Sequence, residues 1–472
     1  MLKDILVGPS GSYPTDFRIV NGKLVFTTTD SIHGYELWVT DGTASGTQLL
    51  KDIAPGTDNS NPTTVGAMIG TSLIFGAYDP TNSYELWITD GTTAGTQLVK
   101  DINPGSLPSS AHDFTAYNGK VYFTAHGNGN DNELWVTDGT SSGTQLVMDI
   151  NSGSAGSDPA FFTVENGKLF FKALTNTCGP ELWVTDGTTI GTQLVKDIYP
   201  GPIGCNMGEL FAYNNKVYFN ATEGVNSNEL WVSDGTSSGT QMLKDINPGT
   251  GSSYPSEYFV YNNKMYFGAT DAPTGRELWV TDGTAPGTMM VKDIYGGTTN
   301  SYPSSFCIYK GFMFFVARSA TNAEILYKTD GTNAGTIPMT PPGNTATAPL
   351  YNAAQLIVYD SALYFAAAYV TNDNELWSLK DTTHAISVES ISKSDLFSVY
   401  PNPAINNITL KLSNTDFANA MVTICDMSGK VIKSEPITST IHEIDIKAIS
   451  KGVYFMKVQV NEQISIKQLV VR

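Results

Sequence analysis

The stretch Glu133-Leu-Trp-Val-Thr-Asp-Gly-Thr-Ser-Ser-Gly-Thr-Gln-Leu-Val-Met-Asp-Ile150 decides the fold, because close copies of it run through most of the chain. The Trp of its Glu-Leu-Trp triplet recurs at 38, 87, 135, 183, 231, 279 and 377, and Tyr327 replaces it in one degenerate copy. Successive copies are 48 to 50 residues apart. A constant period of this length is typical of solenoids, propellers and other repeat architectures.

Each copy contains two hairpin signals and therefore four short strands. The first is a two-residue turn between alternating apolar runs, as at Asn118-Gly119, where a type I′ turn needs positive φ at both central residues. The second is the Asp-Gly-Thr-x-x-Gly-Thr loop that follows the Trp strand. Four strands per copy match one propeller blade, so we predict an all-β propeller of about eight four-stranded blades over residues 1–380.

The two ends of the repeat region complement one another. The chain opens with Met1-Leu-Lys-Asp-Ile5, which reads as the last strand of a copy, and the final copy around Trp377 lacks that strand. A ring closed by lending its first strand to its last blade needs this arrangement and leaves no open sheet edge. The alternative is that Met1 is an internal residue of a longer reading frame. Because no leader precedes the repeats, we expect a signal peptide upstream or already removed.

Charge and composition exclude several classes of function. The net charge is −18, of which residues 1–393 carry −19 and residues 394–472 carry +1. Such an acidic body does not suit nucleic acid, whose phosphates call for clustered Lys and Arg. No apolar run reaches the roughly 18 residues of a transmembrane helix. The composition is compatible with cations, basic proteins or neutral glycans as partners.

The sequence changes character after the repeats. Residues 381–396 read as a polar linker. Residues 397–472 contain short alternating strands with turn residues between them, which predicts a small β-sandwich.

Spaced motifs in this C-terminal part resemble the type A sorting domain of the type IX secretion system. They are Tyr400-Pro401-Asn402-Pro403, then Gly429-Lys430, then Gly452 with Tyr454. The resemblance implies an immunoglobulin-like sandwich, export across the outer membrane of a Bacteroidetes-type bacterium, and recognition of residues 397–472 by the secretion machinery. The repeats of residues 1–380 resemble the ELWxxDGT family, which is common in secreted bacterial proteins and implies no specific activity.

The repeated acids and aromatics are predicted to serve the fold. A Glu in Glu-Leu-Trp and an Asp in Asp-Gly-Thr recur in nearly every copy, and a residue needed in every blade more often belongs to a turn or to packing than to catalysis. Calcium in some loops is the alternative, and the loop Asn128–Glu133 is the richest in oxygen ligands. We predict no other cofactor. The Trp residues are expected to pack between blades.

Sequence signals for catalysis are weak. The chain has no His-x-x-x-His, no Gly-x-Ser-x-Gly and no phosphate-binding loop, and its repeats hold three scattered arginines, which disfavours a sialidase. Cys178 and Cys205 stand on loops predicted to share one face at neighbouring blades, so we predict a disulfide between them in an exported chain. Cys307 and Cys425 fall in strand patterns and are predicted to be small buried residues.

These observations predict an extracellular or surface-attached module for binding or adhesion, with a glycan or protein ligand. The alternative is a secreted carbohydrate-active enzyme whose catalytic acids stand in the variable loops. Loops between the two hairpins and loops between blades should share one face, and they differ among copies. The turns on the other face are nearly uniform. We therefore predict ligand contacts at Tyr35, Tyr84, His126 and Asp131 on the variable-loop face.

Overall fold

The computed structural model consists of strands and loops, and none of its described residues is helical. This confirms the all-β prediction. The chain divides into two compact units, Met1–Asp381 and Thr382–Arg472. The predicted linker 381–396, residues 128–130 of the oxygen-rich loop, and Gly429-Lys430 lie outside the described residues. The structure describes residues 2–8, 10–63, 65–127, 131–225, 227–319, 323–339, 351–359, 362–368, 374–379, 397–412, 420–425, 431–460 and 463–471.

The first unit repeats one kind of antiparallel sheet, numbered here sheet 1 to sheet 8 in chain order. In the described residues, sheets 1 to 7 have four strands each, and within each sheet every strand pairs with the strand that follows it in the chain. Their bounds are β1–β4 (Thr15–Val20, Lys23–Asp30, Gly34–Thr40, Gln48–Lys51), β5–β8 (Ala67–Ile69, Ser72–Asp79, Ser83–Thr89, Gln97–Lys100), β9–β12 (His112–Tyr117, Lys120–His126, Asn132–Thr137, Gln145–Met148), β13–β16 (Ala160–Glu165, Lys168–Thr175, Gly179–Thr185, Gln193–Lys196), β17–β20 (Phe211–Tyr213, Lys216–Ala221, Glu229–Ser233, Gln241–Lys244), β21–β24 (Ser256–Tyr261, Lys264–Asp271, Gly275–Thr281, Met289–Lys292) and β25–β28 (Ser304–Tyr309, Phe312–Arg318, Glu324–Thr329, Ile337–Pro338).

Sheet 8 departs from the pattern. Its described part has three strands, β29–β31 (Tyr351–Tyr359, Ala362–Ala368, Asn374–Leu379). Residues 2–5, predicted as its fourth strand, do not form a strand in this structure. The Lys3 ammonium nevertheless donates to the carbonyl of Thr47 at 2.6 Å, and Lys100 at the end of β8 bonds the carbonyl of Thr144 in the same way at 2.7 Å. The N-terminal segment therefore contacts sheet 1 as the last strand of a preceding sheet would.

The hydrophobic core of the first unit lies between successive sheets. Trp87 of sheet 2 packs against Val20, Leu37 and Leu50 of sheet 1, and the same pairing of neighbours repeats along the chain. The six Trp residues from Trp38 to Trp279 are only 3–9% exposed. Burying a large apolar side chain contributes roughly 1.5–3 kcal/mol, so one sheet alone would lose this stabilisation. The predicted packing of the Trp residues between blades is confirmed.

The second unit is a sandwich of two sheets. One contains β32, β33 and β36 (Phe397–Tyr400, Asn407–Leu412, Ile441–Asp445), and the other β34, β35, β37 and β38 (Met421–Cys425, Val431–Pro436, Gly452–Val460, Gln463–Val471). Side chains from both, among them Leu410 and Met456, share one buried core. The Oδ1 atom of Asn402 accepts a hydrogen bond from the backbone N–H of Val470 at 2.9 Å, and the Tyr454 hydroxyl donates to the carbonyl of Ser450 at 2.8 Å. The Tyr-Pro-Asn-Pro motif is thus fixed to the last strand.

Candidate functional site

A buried glutamate fixes the connector that follows each of sheets 1 to 6. Glu229, at the start of β19, is fully buried and accepts hydrogen bonds from the N–H of Ile246 at 2.7 Å and the hydroxyl of Ser253 at 2.6 Å. This is the Glu of the Glu-Leu-Trp triplet, and the structure gives it the structural role that the sequence predicts. The same bond from a connector serine is made by Glu36, Glu85, Glu133 and Glu277.

The Asp-Gly-Thr turns at the opposite end of the sheets satisfy their own polar groups. In the turn of sheet 3, Oδ1 of Asp138 accepts from the N–H of Thr140 at 2.9 Å and from its hydroxyl at 2.6 Å. These bonds lower the pKa of Asp138. A Cβ atom at Gly143 would collide with the same carboxylate, which explains why Gly follows the Thr at a fixed spacing. The polar groups of these turns are therefore largely bonded to one another and offer a ligand few hydrogen bonds.

Cys205 takes the place of the connector serine after sheet 4. Its sulfur lies 3.3 Å from the carbonyl oxygen of Pro180 and beside the buried carboxylate of Glu181. The sulfur of Cys178 lies 2.9 Å from the hydroxyl of Thr175. Both cysteines are free thiols in this structure, and the Cys178–Cys205 disulfide stays a prediction. Cys307 and Cys425 are half-buried, whereas the sequence predicts full burial.

Replacing Cys205 with Ser should stabilise the fold by about 0.5–1.5 kcal/mol, the net value of one hydrogen bond, because a hydroxyl donates to Glu181 more strongly than a thiol. The measurement is denaturant unfolding under reducing and oxidising conditions. The matched control, Cys178→Ser, should change little. A loss of stability in both variants under oxidising conditions alone would instead support the disulfide.

Burial of the connector glutamates makes the stability of the fold depend on pH. Loss of solvation raises the pKa of Glu36, Glu181 and Glu277 to about 7 from the usual 4.5. Between these values the folded protein binds more protons than the unfolded chain, so the free energy of unfolding falls as the pH rises. We expect a lower melting temperature at pH 7.5 than at pH 5, and a smaller difference in Glu277→Gln. A melting temperature that increases over this range would contradict the assignment.

The first strand of most sheets carries a bulge near its start, at the end where the connectors lie. Pairing with the second strand shifts register there in sheets 1, 3, 4, 6, 7 and 8. One residue per bulge has φ between 55° and 59°, although none is Gly and this left-handed region is uncommon for other residues. All are exposed, and their side chains differ from copy to copy. They are Asp16, Asp113, Phe161, Glu257, Ser305 and Gln355.

A cavity of about 430 Å³ opens beside two of these bulges. Its wall comes from the residues that lead into sheet 2 and from the first strands of sheets 3 and 4, and β9 contacts both β5 and β13. Its volume is in the range of small-ligand sites. The wall includes Thr63, His112, Asp113, Phe114, Phe161 and Phe162.

The cavity wall combines aromatic rings with polar groups. Phe161 is 38% exposed, and the ammonium of Lys172 lies 4.7 Å from the centre of its ring. The Nδ1 atom of His112 lies 2.7 Å from the carbonyl oxygen of Ser110. Because a carbonyl only accepts, Nδ1 carries the proton, and Nε2 of this exposed ring is then a hydrogen-bond acceptor. Asp113 adds an exposed carboxylate. Such a wall can pack against an apolar face and hydrogen-bond polar groups at its edge.

The four predicted contact residues do not line this cavity. Tyr35 is half-buried at the start of β3, and the half-buried Tyr84 donates from its hydroxyl to Oγ1 of Thr63 at 3.3 Å, which places it behind the cavity wall. His126 ends β10 with a buried Nδ1 that has no hydrogen-bond partner among the described residues. Asp131 is half-buried. Their role in binding stays a prediction, and substitution of Tyr84 should also cost stability.

One acidic cluster bears on the calcium prediction. Asp131, Glu133 and Asp149 place one carboxylate oxygen each within 4.8 Å of one another. The carboxylate of Glu133, however, already accepts from the N–H of Ile150 at 2.8 Å and from the hydroxyl of Ser157 at 2.6 Å. A calcium ion needs six to eight oxygen ligands, so this arrangement supports connector packing better than an ion. Calcium in this loop stays a prediction.

Reasoning from the sequence missed His112, Asp113 and Phe161. They lie at the starts of strands. The alternating pattern of a strand predicts which residues are buried, but it does not indicate a ligand contact at the first residues. A signal is present at the fourth position after the connector serine, which holds Asp, Asp, Phe, Glu, Glu and Ser in successive described copies. That position breaks a repeat that is otherwise nearly uniform.

The C-terminal unit matches a known family. Residues 398–472 match the family model of the secretion system C-terminal sorting domain. The chain carries an export signal. This agrees with the predicted sorting domain and with contact between this unit and the type IX secretion machinery, and it indicates an extracellular or cell-surface location. In the described residues, no helix is long and apolar enough to span a membrane.

Solved structures similar to the chain include β-propeller proteins. PorZ, a surface component of the type IX secretion system of Porphyromonas gingivalis, is 13% identical over 99% of this chain and 76% of its own, with a TM-score of 0.34. The β-propeller domain of the Trilobed protease from Pyrococcus furiosus is 12% identical over 71% of this chain and 99% of its own, with a TM-score of 0.36. No curated protein matches the sequence. Similarity at this level carries no information about activity.

Proposed function

We propose that the chain is a secreted or cell-surface β-propeller that binds an extracellular glycan or protein at the connector end of its sheets. The cavity between sheets 2, 3 and 4 carries this proposal. Its wall holds residues that change from copy to copy, such as His112 and Phe161, on a frame whose other positions repeat. On a repetitive scaffold, function belongs to the positions that differ.

The proposal includes a closed ring of eight blades from the ELWxxDGT family, exported by the type IX system. Two observations support closure. Lys3 bonds to Thr47 as a fourth-strand lysine bonds to the next sheet, and the backbone N–H of Thr29 donates to the carbonyl of Ser12 at 3.2 Å. In sheet 2, the N–H of Tyr78 makes the same bond to Ser60 at 2.8 Å. The segment before β1 thus behaves as a connector arriving from another sheet.

The enzyme alternative has less support. A glycosidase generally needs two carboxylates facing each other across the bond that breaks. The described wall of the cavity offers one carboxylate, Asp113, and one imidazole, His112. We therefore propose binding without turnover, with no cofactor.

A glycan and matrix-protein array tests the proposal. The purified chain without residues 397–472 is applied with and without calcium, and any ligand found is titrated against Phe161→Ala and His112→Ala. Both variants should weaken binding at least tenfold without lowering the melting temperature. Conversion of any bound glycan to shorter products would instead favour the enzyme.

A further inference from the structure

A second set of residues that break the repeat lies in the connectors that lead into sheets 6 and 7. The residue after the connector serine or cysteine has φ between 41° and 49° in every described copy from Ser12 to Ser301. Asn, Asp and Ser tolerate this left-handed backbone better than bulky side chains do. The residues at this position are Tyr13, Asn61, Ser110, Asp158, Asn206, Tyr254 and Tyr302.

The tyrosines at this position gain little from burial. Tyr254 is 55% exposed and Tyr302 is 47% exposed. A bulky residue in a strained backbone region persists when something else requires it, and an exposed aromatic ring is an unusual choice where Asn would fit with less strain. This combination points to contact with a ligand.

Arg276 lies between the two tyrosines. Its guanidinium donates to the carbonyl of Tyr254 at 2.7 Å and to the hydroxyl of Ser256 at 2.6 Å. Its backbone N–H donates to Oδ1 of Asn300 at 2.7 Å, and Nδ2 of Asn300 donates to the hydroxyl of Tyr302 at 2.8 Å. One residue of β23 therefore fixes the connectors on both of its sides: it holds the backbone of Tyr254 and, through Asn300, the hydroxyl of Tyr302.

Charged groups around the tyrosines are balanced. The Arg318 guanidinium lies 5.1 Å from the centre of the Tyr302 ring and 3.5 Å from the carboxylate of Glu324. The exposed Glu257, in the bulge of sheet 6, adds a second acid. An acidic ligand would meet two carboxylates, whereas a neutral polyhydroxylated ligand finds both donors and acceptors here.

We propose that Tyr254 and Tyr302, held on either side of Arg276, form a platform for a neutral polysaccharide. The apolar C–H face of a pyranose ring packs on an aromatic ring, and its hydroxyls bond to Arg318 and Glu257. This goes beyond the function proposed above, because it places a separate ligand on sheets 6 and 7, away from the cavity of sheets 2 to 4.

Affinity electrophoresis in soluble glucan and mannan tests the platform, with alginate and heparin as acidic polysaccharides. The double variant Tyr254→Asn, Tyr302→Asn should bind at least tenfold more weakly than the wild type while keeping its melting temperature, since Asn suits the backbone at both positions. Tyr254→Phe, Tyr302→Phe should retain binding because the rings remain. Asn61→Ala, at the same position of sheet 2, is the matched control and should bind normally.

The other outcomes overturn the platform. Binding within twofold of wild type in the Asn double variant, retardation by the acidic polysaccharides alone, or no retardation by glucan or mannan would each do so. Phe161→Ala separates the two proposals. If it abolishes polysaccharide binding and the Asn double variant does not, the cavity function stands and the platform on sheets 6 and 7 is wrong.

Discussion

Deleting residues 397–472 should abolish the appearance of the protein outside the cell and leave the repeat unit folded. The chain divides into two compact units, and the described buried residues from Phe397 to Val471 form a core cluster of their own. The deletion therefore removes the sorting domain without opening the cores between the sheets. In a bacterium with type IX secretion, we expect the truncated chain in the periplasm, while the full chain reaches the surface or the medium.

A milder variant controls for this deletion. Asn402→Ala removes the bond to the N–H of Val470 and should reduce export in part, because it loosens the motif without removing the sandwich. Immunoblots of periplasm, outer membrane and medium give the distribution. Normal amounts of the truncated protein in the medium would contradict the role given to this unit.

Removing residues 1–6 should lower the melting temperature by several degrees and make the repeat unit associate. In a closed ring these residues cover the edge of sheet 8, and an uncovered strand edge recruits other edges. In the repeat, Ile5 and Ser12 occupy the positions of Ile53 and Ser60, which donate hydrogen bonds to the carboxylate of Glu36. In a closed ring, the residue at the position of that glutamate is Glu375. The deletion would remove the hydrogen-bond donor that Ile5 supplies in a closed ring, at a cost of about 1–3 kcal/mol.

Calorimetry and light scattering measure both effects. Lys3→Ala and Lys100→Ala form a matched pair, since each lysine donates to the carbonyl of a Thr in the adjacent sheet. Similar small losses are expected from the two. If the trimmed protein melts unchanged as a monomer, the ring is not closed through this segment.

The strands and the core were accessible from the sequence because both follow from its period. Asn-Gly turns, Asp-Gly-Thr loops and a Trp in all copies but one are local signals, and the structure uses them for turns and for packing between sheets. Trp87, for example, packs against the preceding sheet because every copy presents the same apolar face to its neighbour. Because the same motifs recur in most copies, each copy supports the same assignment of turns and strands.

The functional residues were harder to find, since averaging hides whatever differs. Phe161 and His112 are candidate ligand contacts because they line a cavity to which three sheets contribute. The sequence of a single copy does not reveal that cavity. Cys205 was predicted to pair with Cys178 because their loops share one face in an exported chain, yet its position in the repeat is that of a serine bonded to a buried glutamate. Aligning the copies position by position would have revealed both.

The central claim is that binding belongs to the variable connector end, and one scan tests it most directly. The ligand found on the array is titrated against single alanine variants at His112, Asp113 and Phe161, and at Thr140 and Thr188 in the Asp-Gly-Thr turns. We predict at least a tenfold loss of affinity in the first group with unchanged melting temperature. Thr140→Ala and Thr188→Ala should lower stability by about 1 kcal/mol and leave affinity unchanged. Loss of affinity confined to the turn variants would contradict the account.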